Sequence, residues 1–234
     1  MKLKIPCFCD NVFDVEVPEE IDLDSSPSYF EEIQNGTFAN FTCPSCHKKH
    51  KPEYRLSILW PSKNLHFEVF PELDRGEFYR RKKAPPPKKP YTLETIIGFP
   101  EMADRLAIIK DGFEPAPVEA IKYFLQLKAE EQYPDDEIEV WYYGTNASGA
   151  DQSQGAKNLD KQEPGGQSTP EQVWLEFHLH GLRQDEVAVT RVPYSLYQKT
   201  LDDYKKHPKN EIFTALRVRS YLSVKNTMRA EELK

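Results

Sequence analysis

Long apolar runs are missing from this sequence: no stretch approaches the ~20 residues that a bilayer-spanning helix needs. The start, Met1 to Pro6, has no extended apolar h-region, so the sequence predicts no secretory signal, no membrane partner and a cytoplasmic protein. Apolar residues are sparse, at 38% of 234, and mean hydropathy is -0.70. That is lean for a single compact globule, yet the 12% of aromatic residues predicts real cores rather than wholesale disorder. Positive charge is not in excess. The net charge is -7 and the pI about 5.5, which argues against a general nucleic-acid binder. No P-loop, dinucleotide fingerprint, G-x-S-x-G or H-E-x-x-H motif is present, and no internal repeat, so none of those enzyme classes is indicated.

Cysteine is scarce too, with four residues, but their placement is informative. Cys7, Cys9, Cys43 and Cys46 all lie in the first fifth of the chain and form two close pairs. In a cytoplasmic setting, paired cysteines point to a metal before disulfides. Four thiolates match the tetrahedral demand of structural zinc. Lys48 and Lys49, beside His47 and His50, favour the thiolate form. The second pair has knuckle spacing, C-x-x-C, whereas the first is one residue short. On a strand, Cys7 and Cys9 would share a face and Phe8 would point the other way, into a small core. His47 or His50 is the replacement ligand if the short pair fails to close the tetrahedron. A redox reading of Cys43 and Cys46 wants a strand–helix junction, whereas Lys48, Lys49, His50, Lys51 and Pro52 follow them.

With Cys43-Pro44-Ser45-Cys46, the turn Gly36-Thr37 before it and the charged start, the sequence resembles the CpXC domain family, named for paired C-P-x-C motifs. The second pair matches the motif in full. Cys7-Phe8-Cys9 departs from it, lacking the proline and one residue of spacing. The resemblance covers roughly residues 1–135. It implies a prokaryotic, cysteine-framed domain with Cys7, Cys9, Cys43 and Cys46 as its metal ligands, and no particular reaction.

The remaining pattern predicts an α+β fold: an N-terminal zinc-ribbon-like β module with a helical insertion, followed by helices and a small antiparallel sheet. Residues 1–79 form the module, with a β-prone run at Val12, Val15 and Val17, a helix over Ser28–Gln34, and strands over Tyr54–Leu59 and Leu65–Phe70. Residues 80–92 read as a basic, proline-rich, extended linker. Residues 93–234 form a C-terminal domain. In it, Met102, Leu106 and Ile109 mark one helical stripe, and Val118, Ile121, Leu125 and Ala129 another. Strands follow over Glu137–Tyr143, over Gln172–His180 and around Val187 and Val189. Pro193 opens a helix with Tyr194, Tyr197, Leu201 and Tyr204 on one face. Residues 211–224 are ambiguous, with helix favoured at the start. Residues 145–170, rich in Gly, Ser, Gln and Asn, are expected to be a disordered excursion.

Glu176, His178 and His180 fall on one strand face with Trp174, a candidate metal or hydrolytic face without a clear third donor. Asp135, Asp136, Glu137 and Glu139 read as a solvated strand edge. The function expected is a non-enzymatic, zinc-binding interaction or adaptor protein. Its unknown protein partner would meet the aromatic positions Trp141, Tyr143 and Trp174. The alternatives are a thiol redox enzyme using Cys43 and Cys46, or a hydrolase using the His178/His180 face.

Overall fold

A computed structural model describes residues 1–80, 88–146, 173–182 and 186–227. The chain divides into two compact units, residues 1–106 with 217–226, and residues 107–216 with 227–234. Most of the basic segment, residues 81–87, and of the expected excursion, residues 147–170, lies outside the described residues.

The first unit begins with an antiparallel hairpin, β1 (Lys2–Pro6) and β2 (Val12–Glu16), with Ile5 opposite Phe13. A short strand β3 (Glu20–Asp22) leads to helix α1 (Ser28–Gln34). That helix ends as its sequence dictates: Gly36 takes φ +69°, a left-handed conformation that glycine adopts without a Cβ penalty. The Thr37 amide then bonds the Glu32 carbonyl at 2.9 Å, and the Gly36 amide bonds that of Ile33 at 3.2 Å. Phe30 and Ile33 are the buried face of α1. Next comes a two-residue pair, β4 (Phe41–Thr42) and β5 (Lys49–His50), which carries the second cysteine pair between its strands.

β6 (Leu56–Trp60) and β7 (Leu65–Phe70) form the expected antiparallel pair. A 3-10 turn over Pro61–Lys63 joins them, and Asn64 closes it at φ 56°, a conformation asparagine tolerates. Alternation places Leu56, Ile58 and Trp60 in the core with Phe67 and Val69. Helix α2 (Arg75–Arg80) precedes β8 (Thr92–Ile97), which runs parallel to β7 over six residue pairs. Helix α3 (Phe99–Lys110) follows and carries the boundary between the units at Leu106.

The second unit holds α4 (Pro115–Gln132), then β9 (Glu139–Thr145), β10 (Trp174–Leu182) and β11 (Glu186–Pro193). Helices α5 (Tyr194–Lys206) and α6 (Glu211–Ala215) complete it. Its sheet is antiparallel in the order β11-β10-β9. The inward residues Ile138, Val140, Tyr142, Leu175 and Phe177 form one core with Val118 and Ile121 of α4 and Tyr197 of α5. Phe113 meets Tyr197 edge-on at 4.8 Å. Gly181 lies where the β10–β11 register shifts, at φ +84°.

The last two strands return to the first unit. β12 (Arg217–Val218) and β13 (Tyr221–Leu222) extend its sheet to six strands, ordered β12-β13-β8-β7-β6-β3. The fold is therefore mixed α+β, as the pattern indicates, but its largest sheet collects strands from residues 20 to 222. β8 pairs with β7 across the expected linker, and the two compact units divide at Leu106 rather than at residues 80–92. Among the described residues, no helix is long and apolar enough to cross a membrane.

Candidate metal centre

Cys7 and Cys9 sit in the turn between β1 and β2, and Cys43 and Cys46 in the turn between β4 and β5. The first pair is not on a strand as alternation would have it. Phe8 points to solvent instead of a core and is 88% exposed.

The two turns are versions of one design. In the second, the Cys43 amide bonds the Lys48 carbonyl at 2.9 Å, the His47 amide bonds the Cys43 carbonyl at 3.0 Å, and His47 takes φ 60°. In the first, the Cys7 amide bonds the Asn11 carbonyl at 2.9 Å, the Asp10 amide bonds the Cys7 carbonyl at 3.0 Å, and Asp10 takes φ 62°. Cys7 thus corresponds to Cys43, Cys9 to Cys46 and Asp10 to His47. The missing residue is absorbed inside the loop, between the two sulfurs, and the closing hydrogen bonds survive.

The two turns bring the four sulfurs to within 4.8 Å of one another. Cys7 Sγ lies 3.4 Å from Cys46 Sγ, and Cys9 Sγ 3.7 Å from Cys43 Sγ. Sulfurs at about 2.3 Å from a tetrahedral metal stand about 3.8 Å apart. A disulfide would require about 2.05 Å, and all four thiols are free. The arrangement fits a metal ion. Cys7 and Cys43 are buried, Cys46 is half-buried and Cys9 is exposed.

Hydrogen bonding around the sulfurs is uneven, and the shortened loop explains why. Burial opposes the Cys43 thiolate, but the amides of Cys46 and Ser45, the Asn11 side chain and the Cys7 thiol donate to it, lowering Cys43 from 9.0 to about 6. Asn11 Nδ2 stands 3.7 Å from that sulfur. Cys7 receives one turn amide, that of Cys9, and burial with the neighbouring thiols outweighs it, pushing Cys7 up to about 12. The residue absent from the first loop is the counterpart of the second donor, Ser45. His50 Nε2 lies 3.1 Å from Cys7 Sγ. Its ring is held between Phe8, stacked at 6.2 Å, and Phe13, edge-on at 5.9 Å. Of the two histidines expected as replacement ligands, His50 reaches the cluster as a neighbour of Cys7. Residue 47 serves the turn through its backbone.

Other expected positions assemble differently. His178 is stacked on Tyr143 at 4.0 Å and lies 3.4 Å from Glu176, while the His180 ring is 6.5 Å away. Arg191 bonds Glu176 at 3.0 Å and covers Trp174 at 5.1 Å. Among the described residues, the four cysteines are the only group of three or more donors close enough to hold a metal ion. Cys43 and Cys46 lie between two short strands rather than at a strand–helix junction.

Sequence reasoning missed Asn11 and the fixed position of His50. It also missed a buried network in the first unit. There, Arg75 donates to Glu101 at 2.7 Å and to the Tyr221 hydroxyl at 2.6 Å, and Tyr221 donates to Glu101 at 2.8 Å. Burial pushes Glu101 above the usual carboxylate range despite Arg75. No local pattern announces that network, because its members come from three distant segments.

A model of the CpXC family, described as CpXC protein, matches residues 5–122, half of the chain and all four cysteines. The chain belongs to this family. It is also similar to an uncharacterized protein of Treponema pallidum (strain Nichols), 28% identical over 96% of this chain and 97% of the other. No solved structure matches.

Proposed function

We propose that this CpXC protein is a non-enzymatic binding or adaptor protein whose N-terminal ribbon is clamped by one zinc ion on Cys7, Cys9, Cys43 and Cys46. The observation that supports this reading is the sulfur cluster, with all four donors within 4.8 Å and cross-pairs at 3.4 and 3.7 Å. Thiolate-only donors select soft or borderline ions, and a closed set of four leaves no open position for substrate. The ion would join two turns whose strands are too short to hold each other.

The surface offered to a protein partner is the outer face of the second unit's sheet around Tyr143, which is 67% exposed, with Trp141 and Trp174 half-buried under Lys122 and Arg191. Aromatic residues are enriched at interfaces. The test of the clamp is elemental analysis of the full chain purified without added metal, with X-ray absorption to count ligands. One zinc per chain in an all-sulfur shell is expected. A folded, metal-free monomer would refute the reading.

A further inference from the structure

The four sulfurs are not equally protected. Cys7 and Cys43 are buried; Asn11 Nδ2 donates to the Cys43 sulfur, and the His50 ring covers Cys7, its Nε2 at 3.1 Å from that sulfur. Cys9 is exposed, and the partners of its sulfur are other sulfurs, Cys43 at 3.7 Å and Cys7. A thiolate relieved of charge by N–H donors is a weaker nucleophile, and a covered one is harder to reach. Both differences direct an electrophile to Cys9.

Sulfur geometry also selects the bond that forms next. The short sulfur–sulfur approaches, Cys9 to Cys43 and Cys7 to Cys46, both run between the β1–β2 turn and the β4–β5 turn. A bond between Cys9 and Cys43 needs the sulfurs to close by about 1.7 Å, from 3.7 Å to the disulfide length. Pairing within a turn, Cys7 with Cys9 or Cys43 with Cys46, would leave the halves unconnected.

We propose that Cys9 is a modification site for hydroperoxides. Its oxidation by one hydroperoxide replaces the metal by the Cys9–Cys43 cross-link, and a second hydroperoxide closes Cys7–Cys46 by the same two steps. This rests on the metal-centre reading above. The Cys9 thiolate attacks the peroxide: an S–O bond forms, the O–O bond breaks, and the alkoxide leaves and takes a proton. The Cys43 thiolate then attacks the sulfenic sulfur: the S–S bond forms, and hydroxide leaves and takes a proton. In sum, two thiolates, one hydroperoxide and two protons give one disulfide, one alcohol and one water. The sulfurs lose the two electrons that the peroxide gains. The metal, stripped of two thiolates, dissociates, and the ribbon stays tied.

The test treats zinc-loaded full-length protein with one equivalent of hydrogen peroxide. Zinc release is followed with a chromogenic chelator, and the cross-link is mapped by mass spectrometry after alkylating the remaining thiols. The expected first product is Cys9–Cys43, with one zinc released per disulfide and release at least tenfold slower in Cys9→Ser. Should that variant fail to load zinc, sub-stoichiometric iodoacetamide on the wild-type protein decides, with Cys9 expected to be labelled first. A first cross-link of Cys7–Cys46, Cys7–Cys9 or Cys43–Cys46 would overturn the proposal, as would first labelling elsewhere. If the chain proves unable to hold zinc, the clamp reading fails, while the order of cross-links in the metal-free chain still tests this one.

Discussion

Replacing Cys43 by serine removes the sulfur with the densest set of donors from the proposed clamp and exposes how little else holds the N-terminal hairpins. The hairpin β1–β2 is joined by five residue pairs and β4–β5 by two. Apart from the cysteines, the buried apolar residues of these strands and turns are Ile5 and, just after β2, Val17. Segments this small do not fold on their own core. Structural zinc supplies about 10–16 kcal/mol in peptide systems, so one ligand in four carries roughly 2.5–4 kcal/mol. That corresponds to about two to three orders of magnitude in the local opening equilibrium. Hydrogen exchange on the full chain reads this directly, because partial openings are resolved residue by residue. Amides of β1, β2, β4 and β5 should lose protection by that factor in Cys43→Ser, while those of β6, β7 and β8 keep theirs. Unchanged ribbon protection would mean the centre contributes nothing to folding. Equal loss across β6–β8 would mean that the ribbon and the large sheet form one cooperative element.

His50→Ala should weaken zinc about 10–100-fold in a chelator competition, the usual cost of losing a partner that orients a ligand. His50→Gln should recover part of that, and equal affinities would show that the contact with Cys7 is incidental. Zinc affinity should rise at least tenfold per pH unit between about pH 7 and 9, because Cys7, at about 12, carries a proton that the metal must displace. Raising the pH removes that competitor, and a flat profile would refute it. Gly181→Ala should destabilise the protein by more than about 2 kcal/mol in thermal unfolding, since its Cβ would lie 1.9 Å from the Glu137 carbonyl oxygen at a positive φ. Gly76→Ala, in α2 with nothing within 4 Å, should instead stabilise by about 0.5–1 kcal/mol; a loss there would contradict the open space.

Elements with a strong local period were legible from the sequence. Ser28–Gln34 carries its own stop signal in Gly36, and β9, β10 and α5 bury the residues their periods select: Val140 and Tyr142, Leu175 and Phe177, and Tyr197. Strands whose existence depends on a distant neighbour were not. β3, β12 and β13 have two or three residues each, and β3 and β13 pair in parallel with strands remote in sequence. Parallel pairs need long crossovers, so nothing in the adjacent residues marks them. The strand β8 was hidden for another reason: it comes after a basic, proline-rich run that composition assigns to a linker. Within β7, His66 and Phe67 are both buried, because the strand is central in its sheet, and burial on both faces erases alternation.

The short cysteine pair shows where spacing alone stops being informative. Four cysteines in two pairs mark the candidate donors without a structure, because each pair is local and the chemistry of thiolates is general. Whether Cys7-Phe8-Cys9 can match Cys43-Pro44-Ser45-Cys46 depends on backbone closure, and that is settled by residues outside the motif. Asp10 supplies the left-handed position that His47 supplies in the other turn, and Asn11 supplies the carbonyl that Lys48 supplies. The cost of the deletion falls on hydrogen bonding rather than on sulfur position: Cys7 lacks the counterpart of the Ser45 amide donor. The group that comes to that sulfur instead is His50, 43 residues away, with Nε2 at 3.1 Å; Phe41 places it through the β4–β5 pairing, and Phe8 and Phe13 hold it in orientation. An aromatic at position 8, exposed and without a core to fill, has a reason to be there once His50 is seen beneath it.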